Sequence, residues 1–338
     1  MKELQETLIL KDVSFDSLFD TSRSIQQDCE DFSVSGVSSK NFRFDGDRCK
    51  LLFVSDEDKQ IHEGFVTKHS MSQLCTKLGI PSRYIDKCID SGWTNLAEDN
   101  INAWVQDYGK NLFIRRYQNT IRGILSDRFA VLDTPDILDV LSEVIPLSRY
   151  SVKGYYLSPE KFHVRLIQKD AFENLNEDLF PGLQIDSSDV GRSVLTVKFL
   201  IWKRVCTNGL CITKGSGMLF SQKHIGIDKD AFRLTFSESI KEVPRLIEYA
   251  SELIKSARDN SDFNTIGFSQ KQMEDFIERI KIKTKLPDEG ITKVLRLMDE
   301  EYGHSRWGFV NSLTHVAQDY TLDRRLDLEK VAGEYLIA

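Results

Sequence analysis

Along the chain, the spacing of apolar residues changes character three times. Up to about residue 60 the apolar runs are short. FSVSGV, FRFDGD and CKLLFVS are bounded by Gly, Ser, Asp and Asn and carry no helical stripe, which predicts irregular structure and short strands. From Ser70 the pattern turns helical. SMSQLCTKLGIP starts on small N-cap candidates and stops at Gly79, Pro81 opens a second helix through Ser91 and Gly92, and a third runs from about Leu96 to Tyr108. Residues from about 110 to 227 then read as strands. NLFIRRYQNTIRGILS predicts a hairpin turning near Gln118 and Asn119, TPDILDVLSEVI a helix packed on it, and KFHVRLIQ and RSVLTVKFLIWKRVC two later strands. Three- and four-residue spacing returns over Ser237 to Arg258, Ser269 to Lys283, Asp288 to Tyr302 and Arg306 to Asp319. The pattern predicts an α+β chain: one central, mostly antiparallel sheet with hairpins, a small N-terminal helical unit and a helical C-terminal third, divided as 1–109, 110–227 and 228–338.

The strand over 194–206 sorts Leu195, Val197, Phe199, Ile201, Lys203 and Val205 onto one face and Thr196, Lys198, Leu200, Trp202, Arg204 and Cys206 onto the other. The first face is core. The second offers cations beside a Trp, the combination that holds single-stranded nucleic acid, with charge for phosphates and an aromatic plane for bases. The alternative is that helices cover this face, with Trp202 buried and Arg204 in a structural ion pair. The stretch WKRVCTNGLC, residues 202–211, continues into a hairpin signal, because Asn208 and Gly209 tolerate the positive φ of a two-residue turn. That turn would set Cys206 opposite Cys211. Without a second ligand pair or a close-spaced dithiol motif, the two read as reduced packing residues and not as a metal or redox site.

Charge sharpens this picture. The formal net charge is −7, yet Val190 to Ile227 holds six Lys or Arg (192, 198, 203, 204, 214 and 223) and Lys110 to Ser126 holds four (110, 115, 116 and 122), with no Asp or Glu in either window. The rest of the chain therefore carries −17, and the overall acidity says little about what these two segments bind. Candidate nucleic-acid contacts in the first window are Lys110, Arg115, Arg116, Tyr117 and Arg122; those in the second are Arg192, Lys198, Trp202, Lys203, Arg204 and Lys214. Adjacent Arg115 and Arg116 must point to opposite faces, so only one can share a groove.

Composition excludes several classes. Hydrophobic content of 41% with 29% charged residues is ordinary for a globular chain, and no apolar run approaches the roughly 18 residues of a membrane span. The N-terminal MKELQETLILKD lacks the features of an export signal, so the expected compartment is the cytosol and the six cysteines are expected to be reduced. No phosphate-binding loop, dinucleotide fingerprint, paired-histidine zinc motif or nucleophile elbow is present. His163, His224 and His315 stand alone as polar core or surface residues. No catalytic residue, cofactor or metal is expected.

LGIPSRYI (78–85), SDRFAVLD (126–133), SSDVG followed by RVCTNG (187–209), RWGFVNSLTHVAQD (306–319) and LEKVAGEYL (328–336) together resemble a phage- and plasmid-encoded family catalogued as domain of unknown function 932. The resemblance runs from about residue 65 to the end of the sequence; Cys211 is not part of the pattern. It implies mobile-element DNA and a bacterial cytoplasm, and no established activity. Phage ring-forming single-strand annealing proteins are similar in kind, with a basic aromatic groove on a sheet and helices that drive oligomerisation. The expected function is single-stranded DNA or RNA binding by a homo-oligomer, with annealing or recombination as its use. The alternatives are an interaction or counter-defence protein that binds a host protein, and a nucleic-acid-acting enzyme.

Overall fold

The computed structural model describes residues 13–172, 175, 179–203, 208–212, 218–225, 228–260 and 263–337. It is an α+β fold with two sheets and a helical C-terminal third.

Alternating apolar positions build the first sheet from β1 (Cys29–Val34), β2 (Phe42–Asp45), β3 (Lys50–Val54), β4 (Ile61–Val66), β5 (Leu112–Tyr117) and β6 (Thr120–Leu125). Their order is β1-β5-β6-β4-β3-β2, antiparallel except for the short parallel contact of β4 with β6. The helices α2 (Lys68–Leu78), α3 (Ser82–Asp90) and α4 (Thr94–Val105) bring Leu74, Ile85 and Ile101 onto this sheet, where they meet Phe44, Phe53 and Ile114 in one core. Local chemistry sets the helix ends. Thr67 and Ser70 form a reciprocal capping box at the start of α2, and Gly79 ends it at φ 73°, a conformation that costs glycine nothing.

The second sheet comprises β7 (Tyr150–Leu157), β8 (Phe162–Gln168), β9 (Leu179–Ser187), β10 (Leu195–Lys203), β11 (Asn208–Ile212) and β12 (Met218–Gln222). Every pairing in it is antiparallel, in the order β11-β10-β9-β8-β7. β12 lies on the same edge of β10 as β11, against residues 195–198, while β11 takes 199–203. Val164, Ile185, Val197 and Phe199 form the inner face. Against them pack α5 (Thr134–Val144), α6 (Lys229–Ile240), α7 (Val243–Asp259), α8 (Gln270–Thr284), α9 (Asp288–Leu297), α10 (Arg306–Ala317) and α11 (Leu322–Ile337) in a large core. The helix α1 (Phe15–Gln27) joins that core through Leu18.

Several expectations need correction. The β5–β6 hairpin turns at Gln118 and Asn119 as predicted, but it belongs to the first sheet, so residues 110–227 do not make one sheet. Phe32 of β1 pairs with Ile114 of β5, and this contact with an N-terminal strand claims the hairpin. The helix α1 falls where irregular structure and short strands were expected. Its buried positions are few, Leu18 and Ser22, although Ser14 caps it by accepting from the Ser17 amide. The helix expected over 237–258 is divided between α6 and α7, and Pro244, which has no amide hydrogen to donate, lies in the first turn of α7. Asn208 and Gly209 lie inside β11 and not at its turn. Gly209 pairs with Trp202 and Cys211 with Leu200, which is not the expected register; Cys206, the expected partner of Cys211, lies outside the described residues. This register sets Leu210 opposite Ile201 in the core, whereas the expected one would have spent it on Thr207. The remaining cysteines, Cys29, Cys49, Cys75 and Cys88, are free, and burial pushes the Cys29 and Cys75 thiols up to about 11.

The second face of β8–β10 is closed. Trp202 is 4% exposed and packs with Ile167, Phe180 and Leu200. Arg165 stands 5.9 Å from the Trp202 ring and is bound by Glu329 of α11, a helix that lies against β11. Trp202 is therefore a core residue: Trp202→Ala should cost about 3–5 kcal/mol of folding stability in urea denaturation. A loss below about 0.5 kcal/mol, the range of ordinary surface substitutions, would mean that the face is open.

Candidate nucleic-acid interface

On the closed face Lys198, the expected cation among the described residues, has a partner. Lys198 Nζ lies 3.0 Å from Asp186 Oδ2, and His163 Nδ1 lies 2.7 Å from Asp186 Oδ1. Burial alone would raise the Asp186 carboxyl; the neighbouring His163 and Lys198 outweigh it and hold the group well below the ordinary carboxylate range. Burial lowers the His163 pKa, against the pull of the Asp186 carboxylate. The closed face is thus a structural polar layer, not a groove. On the opposite, core-side face of β10, Lys203 is half-buried, bonded to Asn311 at 3.1 Å and standing 5.0 Å from the Tyr302 ring. Arg204 and Lys214 lie outside the described residues.

The β5–β6 arginines are neutralised too. Arg115 is 0% exposed and spends its guanidinium on two carboxylates and a carbonyl. Nε and Nη2 reach Asp31 at 2.8 and 2.9 Å, Nη1 and Nη2 reach Asp133 at 2.6 and 2.7 Å, and Nη1 donates to the Asp189 carbonyl at 2.6 Å. Arg122, equally buried, donates to the Pro159 carbonyl and stands 3.7 Å from Asp189 Oδ2. Its Nε and Nη2 have no partner among the described residues. Arg116, on the opposite face as alternation requires, pairs with Glu30 at 2.6 Å at the surface, and Tyr117 is half-buried opposite Cys29.

This buried network joins the two sheets. Asp189, in the SSDVG segment after β9, accepts from the Thr134 amide and hydroxyl at 3.2 and 3.0 Å, at the first turn of α5. Asp133 caps the same helix and also accepts from Gln26 of α1 at 2.9 Å. Next along the segment, the Val190 carbonyl takes Gln73 Nε2 of α2 at 2.8 Å, and Gln73 Oε1 accepts the Ile124 amide. One loop of the second sheet is thus plugged into the first. Burial, helped by the nearby Asp133 charge, pushes the Asp189 carboxyl up to about 7, against the pull of Arg122 and Arg115.

The surface above this plug differs from the closed face. Lys110, Arg128, Arg192 and Lys223 are exposed along it. The antiparallel bridge between Phe129 and Ile225 joins the two segments that carry Arg128 and Lys223, and the His224 ring stacks on Phe129 at 5.5 Å. Lys110 Nζ stands 5.7 Å from the half-buried Tyr108 ring, while its neighbour Asn111 donates to Asp127 at 3.2 Å. Lys77 is half-buried near the same Asp127, and burial lowers its pKa. Arg192 lies 3.4 Å from Glu160. Arg128 and Lys223 have no carboxylate partner among the described residues. The seam thus carries a rim of cations with half-buried aromatic rings between them. Of the nine candidates among the described residues, only Lys110 and Arg192 lie on it. Arg128, Lys77 and the carboxylates below were missed.

Among the described residues, no group of three or more His, Cys, Asp or Glu could hold a metal ion, and no helix is long and apolar enough to cross a membrane. Compared with protein-family models, curated proteins and solved structures, the chain gives no match.

The Asp189 environment has a pH signature. Its folded pKa of about 7 lies above the ordinary 3.8, so the folded chain holds a proton that the unfolded chain has released between these values. The stabilisation from this group is complete below 3.8 and lost as pH rises to about 7. Asp189→Asn, whose carbonyl can still accept from Thr134, should remove that fall, so the variant gains on the wild type as pH rises through this window in urea titrations. Parallel stability profiles for the two proteins would contradict it.

Proposed function

We propose that the chain binds single-stranded nucleic acid along the rim of the seam between its two sheets, and not on the face of the second sheet. The observation that supports this reading is the exposed set Lys110, Arg128, Arg192 and Lys223, facing few carboxylates in a chain of net charge −7. Phosphates would displace counterions from these cations, and the half-buried Tyr108 ring offers a plane for a base. Affinity for a short labelled oligonucleotide should therefore fall with salt, with a log-log slope of about −2 to −3 for three or four phosphate contacts. Arg128→Ala and Lys223→Ala should each shallow that slope by about 0.7, whereas Lys198→Ala, in its ion pair with Asp186, should leave it unchanged. Absence of binding by folded protein at low salt would overturn the proposal and favour a protein partner. A slope that responds to Lys198→Ala alone would return the site to the sheet face.

A further inference from the structure

Away from the seam, the hairpin of α3 and α4 exposes the largest aromatic side chains of the first unit. Trp93 is 58% exposed, Trp104 60%, Leu96 43% and Tyr84 40%. Helical spacing puts Leu96, Asn100 and Trp104 on one stripe of α4, with Trp93 just before the helix. Asn100 donates to Tyr84 Oη at 3.4 Å, which fixes Tyr84 of α3 beside the middle of that stripe. Two exposed tryptophans, a leucine and a tyrosine in one band have the make-up of an interface centre, where aromatic residues are enriched.

The charges beside the band are arranged unequally. On the α3 flank stand the exposed Arg83 and Lys87, with Asp90 at the helix end and the half-buried Asp86 beyond; on the α4 flank stands the exposed Asp99, in the same turn as Asn100. Arg83 and Asp99 each precede a member of the Tyr84–Asn100 contact by one residue, a turn of about 100° around their helices that sets them beside the band. We propose that this band is the interface of a symmetric dimer, in which a two-fold axis parallel to α3 and α4 lays each copy's α3 on the other's α4. That operation sets Arg83 against the partner copy's Asp99 twice and stacks the aromatic bands between them. An axis across the helices would instead oppose α3 with α3 and cation with cation.

The proposal is independent of the nucleic-acid reading, because neither Trp104 nor Arg83 belongs to the rim. Sedimentation equilibrium over a range of protein concentrations should show a monomer–dimer equilibrium for the wild type. Trp104→Ala should weaken it about tenfold or more, with an unchanged melting curve because the side chain is exposed. Arg83→Asp and Asp99→Arg should each weaken it, and the double exchange should restore association. Recovery in the double variant identifies the pairing even if the tryptophan variant folds poorly. A wild type that stays monomeric at its highest soluble concentration overturns the proposal. So does a dimer indifferent to Trp104→Ala, or a double exchange that fails to recover.

Discussion

The Arg115 guanidinium is shut away from water between two carboxylates and a carbonyl, and three parts of the chain close around it. Asp31 comes from β1, Asp133 from the cap of α5 and the carbonyl from the loop that follows β9. A buried charge of this kind is costly to desolvate, so it is tolerated only with every partner in place. The pair is thus better understood as a specifier of arrangement than as a source of net stability. With Arg122 added, two guanidiniums face Asp31, Asp133 and Asp189, and the Asp189 carboxyl is raised first by its burial and second by the nearby Asp133 charge.

The same plug governs the surface above it. Arg192 follows directly on the segment that carries Asp189, and Arg128 stands in the stretch that leads from β6 to the Asp133 cap. The rim cations are therefore set in space by groups that never reach solvent. SDRFAVLD and SSDVG supply Asp133 and Asp189 and so meet at this one place. In a chain that is acidic as a whole, burying Arg115 and Arg122 with acids while leaving Arg128 and Lys223 exposed creates a local excess of positive charge.

Much of the fold was legible because it rests on local signals. The C-terminal end of α2 follows from Gly79, although its start lies at Lys68, capped by Thr67, before the Ser70 that the pattern suggests; the β5–β6 turn follows from its polar pair, and the two faces of β10 from strict alternation. Alternation says which side chains share a face, but not what covers them. The Trp202 face is sealed with the help of Glu329, 164 residues from the Arg165 that it binds. The acid-free window around Arg115 was misleading for the same reason, since its carboxylates arrive from 84 and 18 residues away. The turn after β10 was misplaced because Asn208 and Gly209 carry a strong local signal, while the burial of Leu210 against Ile201 is a tertiary one and decides the register. Arg128 lay just beyond the basic window, although a cation after Ser126 and Asp127, between two strand-like runs, was a readable sign of an exposed turn.

Native-state hydrogen exchange on Arg115→Met tests most directly whether this network joins the sheets. The substitution keeps an apolar stem of similar length and leaves Asp31 and Asp133 without their shared cation. Breaking a buried pair from one side costs about 3–5 kcal/mol, and the slowest amides of both sheets should lose protection by that amount together. A loss confined to β1 and β5, with β8–β10 still as protected as in the wild type, would contradict the account.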